Sequence, residues 1–293
     1  MKYEFIISLE KEKFMDKCLI CGGQEYSIIH KGTRDIKNID VLKCNNCGAV
    51  RLSSFEQIYD GFYENSGMRE NKEITKLTEE SRDDVRRATY FMKDYFDKSI
   101  LDFGCGKGGY LKLAKNYASK VAGVELENEP RENLISEGID VRKDINDFTD
   151  KFDFITMFHV VEHLVDPLPW LVRIKNHLKE GGELIVETPN ADDILLTQYG
   201  CEAFKDFTYW GCHVRLYTSK TLEKLLEMAG FKIKWSKQIQ RYPLANHLYW
   251  LREGKPGGQK KWNDISSEVM NSEYERILAE KGMCDTLLIS VTN

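Results

Sequence analysis

The hydrophobic and polar positions from residue 99 onward alternate between two kinds of segment. Short apolar runs of strand length are followed by longer segments whose apolar residues recur at helical spacing. Strands are predicted over 99–103, 120–125, 139–143, 152–158, 182–188, 231–238 and 285–291, and helices over 108–118, 128–137, 167–179, 218–229 and 264–281. This alternation is typical of a doubly wound α/β fold with a mostly parallel sheet.

The first of these strands leads directly into a glycine-rich loop. Asp102 is followed by glycines at 104, 106, 108 and 109, where a helix is predicted to begin. Glycines allow positive φ and close approach of a ligand, and the start of a helix offers unpaired N–H groups. Glu125 ends the next strand, where it can accept hydrogen bonds from both hydroxyls of a ribose. The sequence therefore predicts a nucleoside-like ligand.

The glycine spacing alone also fits the dinucleotide fingerprint, so a nicotinamide-dependent oxidoreductase stays open at this point. With Asp102 included, the loop resembles motif I of class I S-adenosylmethionine-dependent methyltransferases. Residues 152–167 resemble the fourth strand of that family and the turn after it, and residues 181–190 resemble its fifth strand with a preceding Gly-Gly turn. The resemblance covers residues 85–240 and implies a Rossmann-like seven-stranded sheet with an antiparallel last strand.

The resemblance, together with the rule that ligands lie beyond the carboxyl ends of the strands, implies contacts to S-adenosylmethionine. The glycine loop would hold the methionine end, Glu125 the ribose, and the residues after the fourth strand would face the sulfonium. The expected cofactor-binding residues are Asp102, Gly104, Cys105, Gly106, Gly109, Glu125, Leu126, Asp144, Ile145 and Phe158. Leu126 would pack on the adenine, with Asp144 and Ile145 near its amino group; an N-cap role is the alternative for Asp144.

Four of the eight cysteines form two Cys-x-x-Cys pairs, each followed by glycine. The pairs are Cys18 with Cys21 and Cys44 with Cys47, and their spacing is close to that of a zinc ribbon. Four thiolates fill a tetrahedral zinc site and leave no position for water or substrate. The sequence therefore predicts a structural Zn²⁺ rather than a catalytic one.

The chain of 293 residues is long enough for a core domain and an appended module. We predict a zinc ribbon over 1–54, a helical linker or lid over 55–97, and a core over 98–293 with a substrate-pocket insertion around 241–282. Aromatic residues cluster near the start of the linker: Tyr59, Phe62, Tyr63 and Met68. They cover the cofactor cleft or pack against the ribbon.

The candidate general base is His213, in a loop after the fifth core strand. Histidine has an unperturbed pKa near physiological pH, and Tyr209 and Arg215 could orient an anionic substrate beside it. Packing or capping of the following helix is the alternative. Methyl transfer is an in-line displacement, so alignment of the acceptor supplies much of the rate.

His159 is a further catalytic candidate and begins a His-x-x-Glu-His pattern that also occurs in metalloproteases. In this context it is instead similar to a Glu-Val-Val-Glu-His string in ubiquinone-pathway O-methyltransferases that binds a divalent ion. A histidine replaces the first carboxylate here, which weakens a magnesium site. We therefore expect Glu162 and His163 to have a structural or substrate-positioning role, and ion binding by this group stays open.

The net charge of −5 disfavours a nucleic-acid partner, because such binding depends on Lys and Arg neutralising phosphates. Neither a signal peptide nor a membrane span is predicted, and we expect a cytoplasmic location. A ribbon fused to this core resembles sugar C-methyltransferases, although their second Rossmann-like domain and the Glu beside their histidine are missing. We expect a small polar acceptor, sugar- or nucleotide-linked or phosphorylated, in surface-glycan (polysaccharide) or natural-product biosynthesis. A non-catalytic zinc-ribbon scaffold is a further alternative, and the oligomeric state is open.

Overall fold

Strands of three to twelve residues form the core sheet. The computed structural model describes residues 16–59, 61–64 and 80–293, so the predictions about residues 1–15 and Met68 lie outside the described residues. The strands are β1 Tyr26–His30, β2 Val41–Cys44, β3 Val50–Leu52, β4 Ser99–Phe103, β5 Lys120–Val124, β6 Asp140–Arg142, β7 Phe152–Phe158, β8 Leu178–Pro189, β9 Arg215–Leu216, β10 Lys232–Ile239 and β11 Thr286–Thr292.

The helices pack on both faces of the core sheet or form the insertion. They are α1 Glu80–Phe91, α2 Gly109–Ala114, α3 Asn128–Ser136, α4 Pro167–Asn176, α5 Glu202–Thr208, α6 Ser219–Met228, α7 Leu244–Glu253, α8 Gly258–Lys261 and α9 Glu268–Lys281. Short 3₁₀ turns lie at Ile145–Asp147, Val161–His163 and Asn263–Ile265. Within the described ranges, no helix has both the length and the apolar character needed to cross a membrane.

The core sheet has seven strands in the order β10-β11-β8-β7-β4-β5-β6. The pairs from β8 to β6 are parallel, whereas β11 is antiparallel to both of its neighbours. All five residues of β4 are buried, as expected for a central parallel strand covered by helices on both faces. This confirms the Rossmann-like seven-stranded fold with its antiparallel last strand.

Several element boundaries differ from the sequence-based prediction. Helix α2 ends at Ala114, four residues earlier than predicted, and the chain continues in a turn. Strand β8 begins at Leu178, so the Gly-Gly turn that was predicted to precede this strand lies inside it. Helix α7 was not predicted; it occupies the first part of the insertion.

The ribbon strands β1, β2 and β3 form a second, antiparallel sheet, and this sheet is completed by β9 from the core. Val50 pairs with Leu216 and Arg51 pairs with Arg215. The ribbon and the loop that precedes β9 therefore belong to one hydrogen-bonded unit, which the proposed division at residue 54 did not anticipate.

Candidate functional site

The loop between β4 and α2 has a backbone that only glycine accommodates easily. Gly104, Gly106 and Gly108 have φ values of 81°, 58° and 70°. A Cβ on Gly104 would lie 2.4 Å from Val160 Cγ2, and one on Gly108 would lie 2.4 Å from Leu134 Cδ2. The loop is therefore packed on one side and open on the other, where a ligand can approach the backbone.

Glu125, directly after β5, is buried and fixed by backbone N–H groups. Its Oε2 accepts a hydrogen bond from Gly106 N at 2.7 Å, and its Oε1 accepts one from Glu127 N at 2.9 Å. A carboxylate has about four acceptor positions, so both oxygens can also accept from the hydroxyls of a diol. Glu125 thus joins the glycine loop to the position predicted for the ribose.

Two cavities open at the carboxyl ends of β4, β5 and β7, and both are lined by Gly104 and His159. The polar cavity, of about 770 Å³, is lined by Asp83, Asp84, Arg87, Asp102, Gly104, Cys105, Lys107, Gly108, Gly109, Tyr110, Phe158 and His159. The apolar cavity, of about 740 Å³, is lined by Tyr63, Phe103, Gly104, Val124, Glu125, Leu126, Glu127, Lys143, His159, Val160, His163, Leu164 and Trp170. Both volumes include space that is open to solvent.

The two cavities fit the two ends of S-adenosylmethionine. Aromatic and aliphatic side chains surround Glu125 in the apolar cavity, which suits an adenosine moiety, whereas carboxylates and Arg87 line the polar cavity, which suits a charged amino-acid moiety. Asp102 is held in place because its Oδ1 accepts a hydrogen bond from Thr156 Oγ1 at 2.7 Å. Tyr63 of the predicted linker lines the apolar cavity, and α1 forms a wall of the polar one.

Asp144 and Ile145 do not line either of these cavities. Asp144 caps the 3₁₀ turn that follows it, and its Oδ1 accepts a hydrogen bond from Asn146 N at 2.9 Å. Ile145 is fully buried in the hydrophobic core. The N-cap alternative therefore describes the local structure of Asp144, and contact of these residues with adenine stays a prediction.

His159 lies at the point where the cavities meet and has a left-handed backbone, with φ 56°. Its Nδ1 is 3.1 Å from Glu162 Oε1, and its Nε2 is 3.2 Å from Arg241 Nη1 and 3.4 Å from Glu187 Oε1. Because a guanidinium only donates, the neutral imidazole accepts at Nε2 and donates from Nδ1 to Glu162. Burial and the charge of Arg241 lower the pKa of His159, but bonding to Glu162 and Glu187 outweighs them and raises it.

Glu187, near the end of β8, is the centre of a charged cluster that the sequence analysis missed. Its Oε1 accepts hydrogen bonds from Arg87 Nη2 at 2.7 Å and Arg86 Nη2 at 2.9 Å, so α1 is tied to the sheet. Burial would raise the pKa of Glu187, but Arg87 and His159 hold it well below its usual range. The signals available in the sequence were an acid within the apolar strand predicted over 182–188 and an Arg-Arg pair upstream.

The second carboxylate beside His159 belongs to Glu162, which is also fully buried. Its Oε2 accepts a hydrogen bond from Thr188 Oγ1 at 2.9 Å. Burial raises the pKa of Glu162, but the hydrogen bond and charge of His159 lower it to about 2. In the described part of the chain, His159, Glu162 and His163 do not converge as a group of three ligand atoms.

His213 lies behind the wall of the apolar cavity. Its ring centroid is 4.9 Å from that of His163 and 5.4 Å from that of Trp210. Burial and the nearby charge of His163 lower the pKa of His213 to about 3, so its imidazole is neutral at physiological pH. Its Nδ1 is buried and has no hydrogen-bond partner among the described residues.

Tyr209 and Arg215 lie between the ribbon and the core. Tyr209 is buried, with its ring centroid 5.2 Å from that of His30. Arg215 is buried too; its Nη2 donates a hydrogen bond to Val165 O at 2.9 Å, and burial lowers its pKa. Neither residue lines either cavity, so the structure does not bring the predicted group of His213, Tyr209 and Arg215 together at the cleft.

The four ribbon cysteines converge as expected for a metal site. Cys18 Sγ is 3.5 Å from Cys47 Sγ, and Cys21 Sγ is 3.6 Å from Cys44 Sγ; all four sulfur atoms lie within 4.8 Å of one another. Thiolates bound tetrahedrally to zinc at about 2.3 Å are about 3.8 Å apart, so the arrangement fits Zn²⁺. With four sulfur ligands the ion would have a structural role.

A family profile and the curated relatives agree on the type of domain. A family profile described as "Methyltransferase domain" matches residues 74–234, more than half of the chain. The ubiquinone biosynthesis O-methyltransferase of Actinobacillus pleuropneumoniae is 29% identical over 226 residues, which cover 71% of this chain and 94% of that protein. The tRNA U34 carboxymethyltransferase of Actinobacillus succinogenes is 32% identical over 108 residues, which cover 31% of this chain and 32% of that protein. A crystal structure of a SAM dependent methyltransferase from Archaeoglobus fulgidus has a TM-score of 0.46 and 20% identity, and the match covers 72% of this chain and 94% of that chain.

Proposed function

We propose, since this chain belongs to the methyltransferase-domain family and is an S-adenosylmethionine-dependent methyltransferase, that it methylates a small polar metabolite bound beside His159, where the two cavities meet. The observation that carries this proposal is the junction of the two cavities at His159. An acceptor at this junction would lie next to the sulfonium, which joins the adenosine end of the cofactor to its methionine end. The family match favours this activity over the nicotinamide-dependent and non-catalytic alternatives.

The charged lining of the polar cavity, which opens at His159, supports a polar acceptor. Asp83, Asp84 and Arg87 line it from α1. The net charge of −5 disfavours RNA, although one relative is named for a tRNA reaction. Sugar-linked, nucleotide-linked or phosphorylated acceptors fit this chemistry. The relatives described above are named for ubiquinone biosynthesis and tRNA modification, so surface-glycan assembly has no support from them.

We assign the general base to His159 Nε2. The bound cofactor supplies an electrophilic methyl group. In the structure Nε2 accepts a hydrogen bond from Arg241 Nη1. An acceptor that takes the place of this donor would give its proton to Nε2, and the resulting imidazolium is stabilised by Glu162 at Nδ1 and by Glu187 at Nε2. A base with a pKa near the operating pH is the most effective, and the raised pKa of His159 meets this condition better than the lowered pKa of His213.

The cofactor part of the proposal is tested by titration calorimetry with S-adenosylhomocysteine. Glu125→Ala is expected to weaken binding about 10-fold or more, because hydrogen bonds to a charged group contribute about 1.5–3 kcal/mol. Glu129→Ala, an exposed acid in the first turn of α3, is the matched control and should bind as the wild type does. Equal affinity of both variants, or binding of NAD⁺ in place of S-adenosylhomocysteine, would contradict the assignment.

The acceptor is tested with methyl-labelled S-adenosylmethionine and two pools, one of nucleotide-linked and phosphorylated metabolites and one of unmodified tRNA. We expect label in the metabolite pool, as a product heavier by one methylene group. His159→Gln should abolish the transfer and leave S-adenosylhomocysteine affinity nearly unchanged. Labelling of the tRNA pool alone would refute the small-molecule assignment.

A further inference from the structure

Three potential metal ligands converge behind the apolar cavity, away from the ribbon cysteines. They are His163 on the 3₁₀ turn after β7, and Cys212 and His213 on the loop before β9. We propose that these three side chains form a second metal site, which binds a divalent cation of borderline softness such as Zn²⁺. The site is independent of the methyl-transfer chemistry proposed above.

The geometry is close to that of a bound site. One ligand atom from each residue lies within 4.8 Å of the other two. Imidazole nitrogens at about 2.0–2.1 Å and a thiolate at about 2.3 Å from a tetrahedral zinc are separated by about 3.3–3.6 Å. The approach needed is therefore at most about 1.2–1.5 Å, which rotations of the side chains can supply. The two imidazole rings lie at 74° to each other, so they do not stack against one another.

The tautomer of His163 is fixed by a hydrogen bond to the backbone. Its Nδ1 lies 2.9 Å from the carbonyl oxygen of Cys212. A carbonyl only accepts, so Nδ1 carries the hydrogen and the lone pair of the neutral ring is at Nε2. Metal-binding histidines commonly donate the second ring nitrogen to a backbone carbonyl in this way, which fixes the tautomer. The backbone of His163 is held as well, because its carbonyl oxygen accepts a hydrogen bond from Tyr63 Oη at 2.9 Å.

A second, independent observation concerns His213. Its Nδ1 is buried without a hydrogen-bond partner among the described residues. Buried polar atoms are nearly always paired, so such an atom calls for an explanation, and a bound cation is one. Cys212, the adjacent residue, is a buried thiol outside any disulfide.

The donor set selects the kind of metal. Two imidazoles and one thiolate suit Zn²⁺ and other late divalent ions, whereas Mg²⁺ requires oxygen ligands. Three protein ligands leave one position of a tetrahedral ion for water. Glu162, fully buried and adjacent to His163, supplies a further negative charge near the ion. Bound metal would join the loop before β9 to the 3₁₀ turn, and so fix the wall of the apolar cavity that His163 lines.

The test is the metal content of the purified full-length protein by mass spectrometry. Cys212→Ala and His213→Gln should each contain one equivalent of zinc less than the wild type. Cys201→Ala is the matched control: Cys201 is a buried thiol whose Sγ lies 3.7 Å from Trp250 O, and its loss should leave the metal content unchanged. Because the measured quantity is the difference in zinc content between each variant and the wild type, it does not depend on whether the four ribbon cysteines are fully occupied by zinc.

Cobalt gives a second readout that does not depend on activity. Co²⁺ bound to a thiolate absorbs through sulfur-to-metal charge transfer, so part of this absorption should be lost in Cys212→Ala and retained in Cys201→Ala. Thermal unfolding of each variant identifies any that fails to fold, and His213→Gln keeps most of the side-chain volume for that case. Equal zinc content and equal cobalt absorption in the wild type and both site variants would overturn the proposal. Loss of metal from Cys201→Ala to the same extent would overturn it too.

Discussion

Removal of the charge of Glu187 is the most informative perturbation of the cleft. The carboxylate is fully buried, and it accepts hydrogen bonds from Arg87 Nη2 at 2.7 Å and from Arg86 Nη2 at 2.9 Å. In Glu187→Gln the amide keeps one acceptor oxygen, but its NH₂ group faces guanidinium donors. Two cations are then left beside His159 without a counter-charge at this position.

Breaking a buried ion pair by removing one partner costs about 3–5 kcal/mol, because the remaining charge stays desolvated. We expect Glu187→Gln to lower the free energy of unfolding by about this amount. The matched control is Glu137→Gln. Lys112 Nζ lies 2.8 Å from Glu137 Oε2, and the side chains of Glu137 and Lys112 are 46% and 43% exposed. Exposed pairs contribute less than about 1 kcal/mol, so the control should change little.

The assay is urea unfolding of the three proteins, followed by far-UV circular dichroism and by tryptophan fluorescence. A second readout is S-adenosylhomocysteine affinity, since Arg87 lines the polar cavity and loses its position when Glu187 is neutral. We expect weaker binding in Glu187→Gln and unchanged binding in Glu137→Gln. If Glu187→Gln costs no more stability than Glu137→Gln, the cluster does not tie α1 to the sheet and the reasoning is refuted.

Three further predictions concern the base, the glycine loop and the ribbon. Because a general base acts unprotonated, the raised pKa of His159 predicts that kcat/KM rises with pH above 6.5. Glu162→Gln removes one group that stabilises the imidazolium, so this rise should move to lower pH. An unchanged pH profile in this variant would exclude His159 as the base. Gly104→Ala should lose S-adenosylhomocysteine affinity as well as stability. The control Gly138→Ala should lose only stability, because Gly138 has a similar φ of 77° but no atom within 4 Å of the added Cβ. Equal affinities of the two variants would show that the loop does not hold the ligand. Removal of zinc by a chelator should make the ribbon sensitive to limited proteolysis, because metal binding supplies part of its folding free energy. The thermal transition of the core sheet should stay the same. A ribbon that resists proteolysis after the chelator is added would contradict this prediction.

Local chemistry made part of the site predictable. The positive φ values at Gly104 and Gly108, and the place of Glu125 after its strand, follow from residues within one strand-loop-helix unit. The convergence of the four ribbon sulfur atoms follows from the Cys-x-x-Cys spacing, which places both thiols of a pair on one turn. The order of the core strands was accessible only through the resemblance, because periodicity identifies a strand but not its neighbours.

The sequence by itself thus determined the type of fold, the glycine-rich loop, the place of Glu125 directly after its strand and the four-cysteine cluster, since each depends on contacts between residues close together in the chain or on a fixed spacing. Only the tertiary structure decided what surrounds His159. Glu187 lies a hundred residues from Arg87, and it meets that residue because α1 lies at the carboxyl end of β8. Tertiary packing likewise placed Arg215 in the strand that completes the ribbon sheet, where its guanidinium binds a backbone carbonyl instead of facing the cleft. Long-range pairing of this kind depends on which faces and edges meet, and no local pattern of residues records it.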